Sequence, residues 1–75
     1  MKIRLKLMGT LKGSTPPGGA LEVADGATIG DVLHALGITS PAIRVFTVNG
    51  QFERDRSRVL AANDELTAIP PVGGG

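Results

Sequence analysis

The segment of this sequence best suited to chemistry is its carboxyl end. Its last six residues are Pro70, Pro71, Val72, Gly73, Gly74 and Gly75. Proline favours an extended backbone and donates no hydrogen bond to a sheet, and glycine has no side chain. Fully extended, such a segment spans at most about 20 Å, at roughly 3.3 Å per residue. It could pass through a narrow channel and present the Gly75 carboxylate to a reagent held there, although a disordered linker has the same composition.

The rest of the chain has few groups suited to catalysis. His34 is the only histidine, and its place in the helical pattern predicts a surface or boundary position. The serines fall in predicted turns, without a neighbouring base; they are Ser14, Ser40 and Ser57. There is no cysteine, and one histidine with scattered carboxylates does not make a metal site. Residues 26–30 lack the lysine and glycine spacing of a phosphate loop, so we do not expect this chain to bind ATP itself.

The charge balance argues against nucleic-acid binding. The formal net charge is +1, from eight basic and seven acidic residues that are interspersed. Two aromatic residues, Phe46 and Phe52, are too few for a base-stacking platform. No apolar run has the length of a membrane span, and no signal-peptide pattern follows Met1. We therefore expect a soluble, cytoplasmic protein that binds neither nucleic acid nor membrane.

Two groups of basic residues could dock on an acidic partner. One contains Arg54, Arg56 and Arg58, and the other contains Lys2, Arg4 and Lys6. Asp55 and Glu53 interrupt the first group, and ordinary solvation explains both groups more simply.

The first half of the chain predicts two strands and a helix. Residues 1–7 alternate between apolar and basic side chains, which is typical of a strand with one buried face. Residues 9–19 are rich in glycine and proline and predict a turn or loop before a second short strand at residues 21–23. Thr28 is a helix N-cap with Asp31 in the first turn, and Gly37 fits the helix end. The apolar stripe of this helix contains Ile29, Val32, Leu33 and Leu36.

The second half predicts three more strands. They are residues 44–48, residues 51–53 after an Asn49-Gly50 turn, and residues 65–69 after an Asn63-Asp64 turn. Between them, residues 54–58 form a polar loop, and Val59 and Leu60 are predicted to lie under the sheet. This order indicates an α+β fold of the β-grasp, or ubiquitin-like, type, with a mixed sheet of four to five strands packed on one helix. We expect residues 1–69 to form this domain and residues 70–75 to be an extended tail.

The sequence resembles the MoaD/ThiS family of sulfur carriers. The resemblance covers the whole chain and rests on the Thr28-Ile29-Gly30-Asp31-Val32-Leu33 helix start, the Val48-Asn49-Gly50 turn, and the Asn63-Asp64-Glu65-Leu66 strand start with the Pro-Pro-Val-Gly-Gly-Gly ending. The terminal diglycine is the most specific of these features. The third glycine, Gly73, departs from the usual pattern, where other small or polar residues are common.

The resemblance implies that Gly75 is the reactive residue and that Gly74 gives it a narrow approach. In this family an E1-like adenylyltransferase uses ATP to adenylate the terminal glycine. A sulfur donor, such as a cysteine desulfurase or a rhodanese-type protein, then supplies the sulfur of a thiocarboxylate. This chain would bind no cofactor of its own. From their position beside the reactive end, the predicted partner contacts are Ile69, Pro70, Pro71, Val72 and Gly73, with Ile69 and Val72 as the apolar ones.

Several functions remain open at this point. The Pro-Pro-Val segment favours the small subunit of molybdopterin synthase, in which the tail enters a larger catalytic subunit. Members of that branch often have a helical segment between their first two strands, and residues 9–19 are short for one. The alternatives are a carrier for thiamine thiazole synthesis, a ubiquitin-like modifier of protein lysines, and a non-catalytic β-grasp interaction domain. None of these gives the chain an autonomous active site.

Overall fold

Five strands form one mixed sheet in a computed structural model that describes residues 1–39 and 42–71. The strands are β1 Lys2–Leu7, β2 Ala20–Glu22, β3 Val45–Val48, β4 Gln51–Glu53 and β5 Glu65–Ile69, in the spatial order β2-β1-β5-β3-β4. The two central strands, β1 and β5, run parallel, with Leu5 opposite Leu66. The other three pairs of neighbours are antiparallel, including the predicted hairpins β1–β2 and β3–β4. The mixed sheet predicted from the sequence is confirmed.

One face of the sheet is covered by a single helix, α1 Ile29–Ala35. The strand residues beneath it are buried, including Ile3 and Leu66, which are both 0% exposed. The helix contributes its predicted stripe, with Ile29, Val32 and Leu33 buried in the same cluster. Full burial of one such aliphatic side chain contributes about 1.5–3 kcal/mol, so this two-layer packing supports a helix that is too short to be stable alone.

Hydrogen bonds fix both ends of α1, and the sequence predicted the N-cap at Thr28 but not the return bond from Asp31. The Asp31 backbone N–H donates to Thr28 Oγ1 at 3.1 Å, and the Thr28 N–H donates to Asp31 Oδ2 at 3.0 Å. This reciprocal pair is a capping box. At the other end, Gly37 has φ +73°, and the Ile38 N–H donates to the Leu33 carbonyl at 3.0 Å. The helix therefore ends in a Schellman motif, and the predicted helix end at Gly37 is confirmed.

Residues 9–19 contain more regular structure than the sequence predicted. They include a 3₁₀ helix, Gly9–Ser14, and a 3₁₀ turn, Pro17–Gly19. The prediction of an irregular loop was based on glycine and proline as chain breakers. It did not account for Leu11, which is 6% exposed and packs in the core, so that the backbone on either side of it stays close to the sheet. Glycines supply the positive φ angles that this path needs, as at Gly9 with φ +52°.

The prediction that Val59 and Leu60 both lie under the sheet is half wrong. Leu60 is 3% exposed, but Val59 is 58% exposed. Val59 forms an isolated antiparallel bridge with Thr28, and neighbouring side chains in an extended backbone point in opposite directions. Only one member of the pair can therefore enter the core. Within the described residues, the structure has no helix with the length and apolar character needed to span a membrane.

Candidate functional site: the root of the carboxyl-terminal tail

The chain reaches its carboxyl end from a central strand of the sheet. On one side of β5, the Met8 N–H donates to the Ala68 carbonyl at 3.1 Å. On the other side, the Arg44 N–H donates to the Ile69 carbonyl at 2.7 Å. The strand is therefore held from both neighbours up to its last residue. Pro70 follows, and because it has no N–H the ladder cannot continue through it.

The first residue of the tail packs on a glycine. A Cβ atom added at Gly9 would lie 3.0 Å from Cγ of Pro70, which is closer than most real Cβ contacts. Gly9 also has φ +52°, a backbone conformation that favours glycine. The sequence did not predict this contact, because it joins the start of the 3₁₀ helix Gly9–Ser14 to the end of β5.

The structure describes only three of the predicted site residues. Ile69 is half-buried and lies on the sheet face opposite the buried Ala68, Pro70 is half-buried, and Pro71 is exposed. These three residues form the root of the tail, at one end of the sheet. The other predicted site residues, Val72, Gly73, Gly74 and Gly75, lie outside the described residues, as do Ser40 and Pro41. Their predicted roles stay predictions.

The carboxylate of Asp64, the residue before β5, makes structural contacts. Asp64 Oδ2 accepts the Ala61 backbone N–H at 2.8 Å, and its Oδ1 accepts the Asn49 side-chain amide at 2.9 Å. These two hydrogen bonds, that of Ala61 first, hold the pKa of Asp64 below its ordinary value of 3.8. Asn49 Oδ1 in turn accepts the Glu65 N–H at 2.9 Å. The network connects the β3–β4 turn to the start of β5.

Among the residues that the structure describes, the other titratable groups do not form a catalytic arrangement with the tail root. His34 is exposed on α1. Asp31 is engaged at the helix cap, where the Thr28 backbone N–H and hydroxyl lower its pKa. Within residues 1–39 and 42–71, no three histidine or carboxylate side chains come together in a way that could hold a metal ion.

The structure is similar to solved structures of archaeal modifiers. One is the crystal structure of SAMP1 from Haloferax volcanii, with a TM-score of 0.74 and 27% identity over 100% of both chains. Another is the H. volcanii small archaeal modifier protein 1, with a TM-score of 0.72 and 26% identity, covering 95% of this chain and 98% of that one. These similarities confirm the β-grasp fold.

Comparison with curated protein sequences found no significant match. The model of the ThiS family, however, matches residues 5–75, which include the whole tail. With its mixed sheet, its single capped helix and a tail that leaves the central strand β5, this chain belongs to the ThiS family.

Proposed function

We propose that this protein is a sulfur carrier whose Gly75 carboxylate is adenylated and then converted to a thiocarboxylate. The observation that carries the proposal is the family match through Gly75, on a chain whose tail root is fixed at the end of a central strand. The domain supplies a rigid base, and the glycines supply a narrow reactive end. The catalytic groups belong to partner proteins.

The proposed chemistry suits a chain without cysteine. A carboxylate is a poor electrophile, so an E1-like adenylyltransferase must use ATP to join AMP to Gly75 with release of pyrophosphate. A persulfide sulfur, supplied by a cysteine desulfurase or a rhodanese-type protein, then attacks the acyl carbon, and AMP leaves, which gives an acyl disulfide. A second thiol, of a partner protein or a small-molecule reductant, attacks the donor's sulfur and breaks the S–S bond. This step releases the Gly75 thiocarboxylate and leaves a disulfide on the donor. The sulfur finally resides on the backbone terminus of the chain, which contains no cysteine.

Within this proposal, molybdopterin synthesis is the preferred use of the sulfur. The Pro-Pro-Val segment before the glycines supports it. The 3₁₀ helix Gly9–Ser14 adds support, because a helical segment between the first two strands is often present in that branch. The chain would then be the small subunit of a synthase, with its tail inserted into a larger catalytic subunit. Sulfur transfer for thiamine thiazole synthesis is the alternative within the same family.

A second candidate function is protein modification. It is favoured by the similarity to structures described as small archaeal modifier proteins. In that case the activated Gly75 would be joined to lysine amines of target proteins. Isopeptide-linked conjugates in cell extracts would support it, and absence of conjugates under stress would count against it.

The proposal is tested by pyrophosphate exchange with a cognate adenylyltransferase. We expect exchange of labelled pyrophosphate into ATP to depend on the full chain and to be lost when Gly74 and Gly75 are deleted. The deletion lies beyond β5, so the thermal midpoint of the domain should hardly change. A plain interaction domain predicts no chain-dependent exchange, and that result, with an enzyme active on another carrier, would refute the proposal.

A further inference from the structure

An open groove of about 410 Å³ lies at the same end of the sheet as the tail root. Three arginines line it: Arg44, Arg54 and Arg56. Arg44 is also the residue whose N–H binds the Ile69 carbonyl, and Val45 lies opposite Ile69 in the β3–β5 pair. The groove is therefore next to the point where the tail leaves the sheet.

The acidic residues that interrupt the arginines in sequence are already occupied. Glu53 Oε1 accepts from Arg58 Nη1 at 3.2 Å, and its Oε2 accepts the N–H groups of Arg54 and Asp55 at 3.1 and 3.2 Å. Asp55 Oδ1 binds the Ser57 N–H at 2.9 Å and the Ser57 hydroxyl at 2.6 Å. Arg58, which does not line the groove, is the arginine that pairs with Glu53.

The three groove arginines, by contrast, form no ion pair with any residue in the described part of the chain. Arg44 and Arg54 are exposed, and Arg56 is half-buried. Their charges therefore face a common space that contains one carboxylate, and that carboxylate is neutralised by Arg58. A guanidinium group binds carboxylates well because its donors form a planar fork.

Apolar residues also line the groove, and one of them contacts an arginine. Ile43 and Phe46 are 9% and 5% exposed, and Val45, which lies on the opposite face of β3 from Phe46, is half-buried. The Arg56 guanidinium lies 5.6 Å from the centre of the Phe46 ring, within the range of a cation–π contact. An arginine that is already positioned loses less conformational freedom on binding.

We propose that this groove, lined by Arg44, Arg54 and Arg56, docks an acidic segment of a partner protein, in which carboxylates alternate with apolar side chains. The carboxylates pair with the guanidinium groups, and an apolar side chain contacts the small apolar area that Ile43 and Phe46 leave exposed. The inference is independent of the sulfur chemistry. The groove would be a second contact site at this end of the sheet. A protein that binds the tail could therefore bind the groove at the same time.

The test uses the full chain and a short acetylated peptide of alternating glutamate, leucine, aspartate and phenylalanine. Amide chemical shifts are followed by NMR during titration. We expect perturbations concentrated at residues 43–46 and 53–56, and a peptide with glutamine and asparagine in place of the acids should not bind. Each of the changes Arg44→Gln, Arg54→Gln and Arg56→Gln should weaken binding about threefold to fivefold, the effect of an exposed ion pair.

A matched control separates groove binding from general charge attraction. The triple variant Lys2→Gln, Arg4→Gln, Lys6→Gln removes three charges from exposed positions of β1, and it should bind the peptide as tightly as the parent. Equal weakening by this control would overturn the proposal. It would also be overturned if the neutral peptide bound equally well, or if inorganic phosphate bound at the arginines and the acidic peptide did not. None of these readouts involves Gly75. Peptide binding at the groove can therefore be confirmed or refuted independently of the sulfur-carrier function.

Discussion

Cγ of Pro70 occupies the space that a side chain at Gly9 would need, since a Cβ there would lie 3.0 Å away. The contact joins the residue after β5 to the first residue of the 3₁₀ helix Gly9–Ser14. It adds to the hydrogen bonds that Met8 and Arg44 make with the end of β5. Together these contacts fix where the tail begins.

Replacing Gly9 should therefore disturb both stability and tail direction. Gly9→Ala puts a Cβ at φ +52° and against Pro70, so we expect the free energy of unfolding to fall by about 1–2 kcal/mol. Urea denaturation measures the loss, and the amide shift of Ile69 together with the Cα shift of Pro71 reports movement of the tail root. Gly13→Ala is the control, because a Cβ at Gly13 meets nothing within 4 Å. If Gly9→Ala and Gly13→Ala lowered the free energy of unfolding equally, the contact between Gly9 and Pro70 would not have the proposed effect.

Asp64 predicts a defined response to acid. Because its pKa is lowered in the folded state, its stabilising contribution is fully present above the unfolded pKa, near 3.8. That contribution is lost as the pH falls through the lower, folded value. Asp64→Asn should therefore reduce the difference in urea midpoint between about pH 7, well above the unfolded value, and about pH 3, below it. Asp25→Asn removes the same charge from a side chain that is 93% exposed and lies 3.5 Å from the Met1 amino group. Such an exposed ion pair contributes little to stability, so this variant should leave the difference larger. If both variants reduced the pH dependence of the urea midpoint equally, the assigned stabilising role of Asp64 would be wrong.

The tail residues that the structure does not describe give a prediction about binding. We predict that Val72 and Ile69 are apolar partner contacts, with Val72 beyond the sheet. Val72→Asp should weaken affinity for the adenylyltransferase about tenfold or more, because an unpaired carboxylate is costly to bury. The thermal midpoint should hardly change. Val59→Asp is a matched control, since Val59 is 58% exposed. This variant should bind the adenylyltransferase as tightly as the parent does. An unchanged affinity in Val72→Asp would refute this role.

Local patterns predicted most of the fold. The N-cap at Thr28 and the Asn49-Gly50 turn each depend on residues a few positions apart, and both predictions are confirmed. The alternation of residues 1–7 identified the buried face of β1. Val59 was misplaced because a single residue step decides which face of an extended backbone a side chain takes.

The features around the tail root could not be predicted in the same way. The Gly9 contact with Pro70 and the approach of Arg44 to Arg54 and Arg56 bring together residues from different elements. In the sequence, Arg54, Arg56 and Arg58 look like one group. The structure divides them, because Arg58 pairs with Glu53 while the other two join Arg44. Such groupings follow from sheet topology, which local spacing does not encode.

Intact-protein mass spectrometry tests the central claim most directly. The full chain is incubated with ATP, the adenylyltransferase and a persulfide sulfur donor, and fragmentation locates any modification. We predict a mass increase equal to the replacement of one oxygen by sulfur, confined to Gly75 and absent when ATP is omitted. An unchanged mass, with enzymes shown to be active on another carrier, would contradict the sulfur-carrier function.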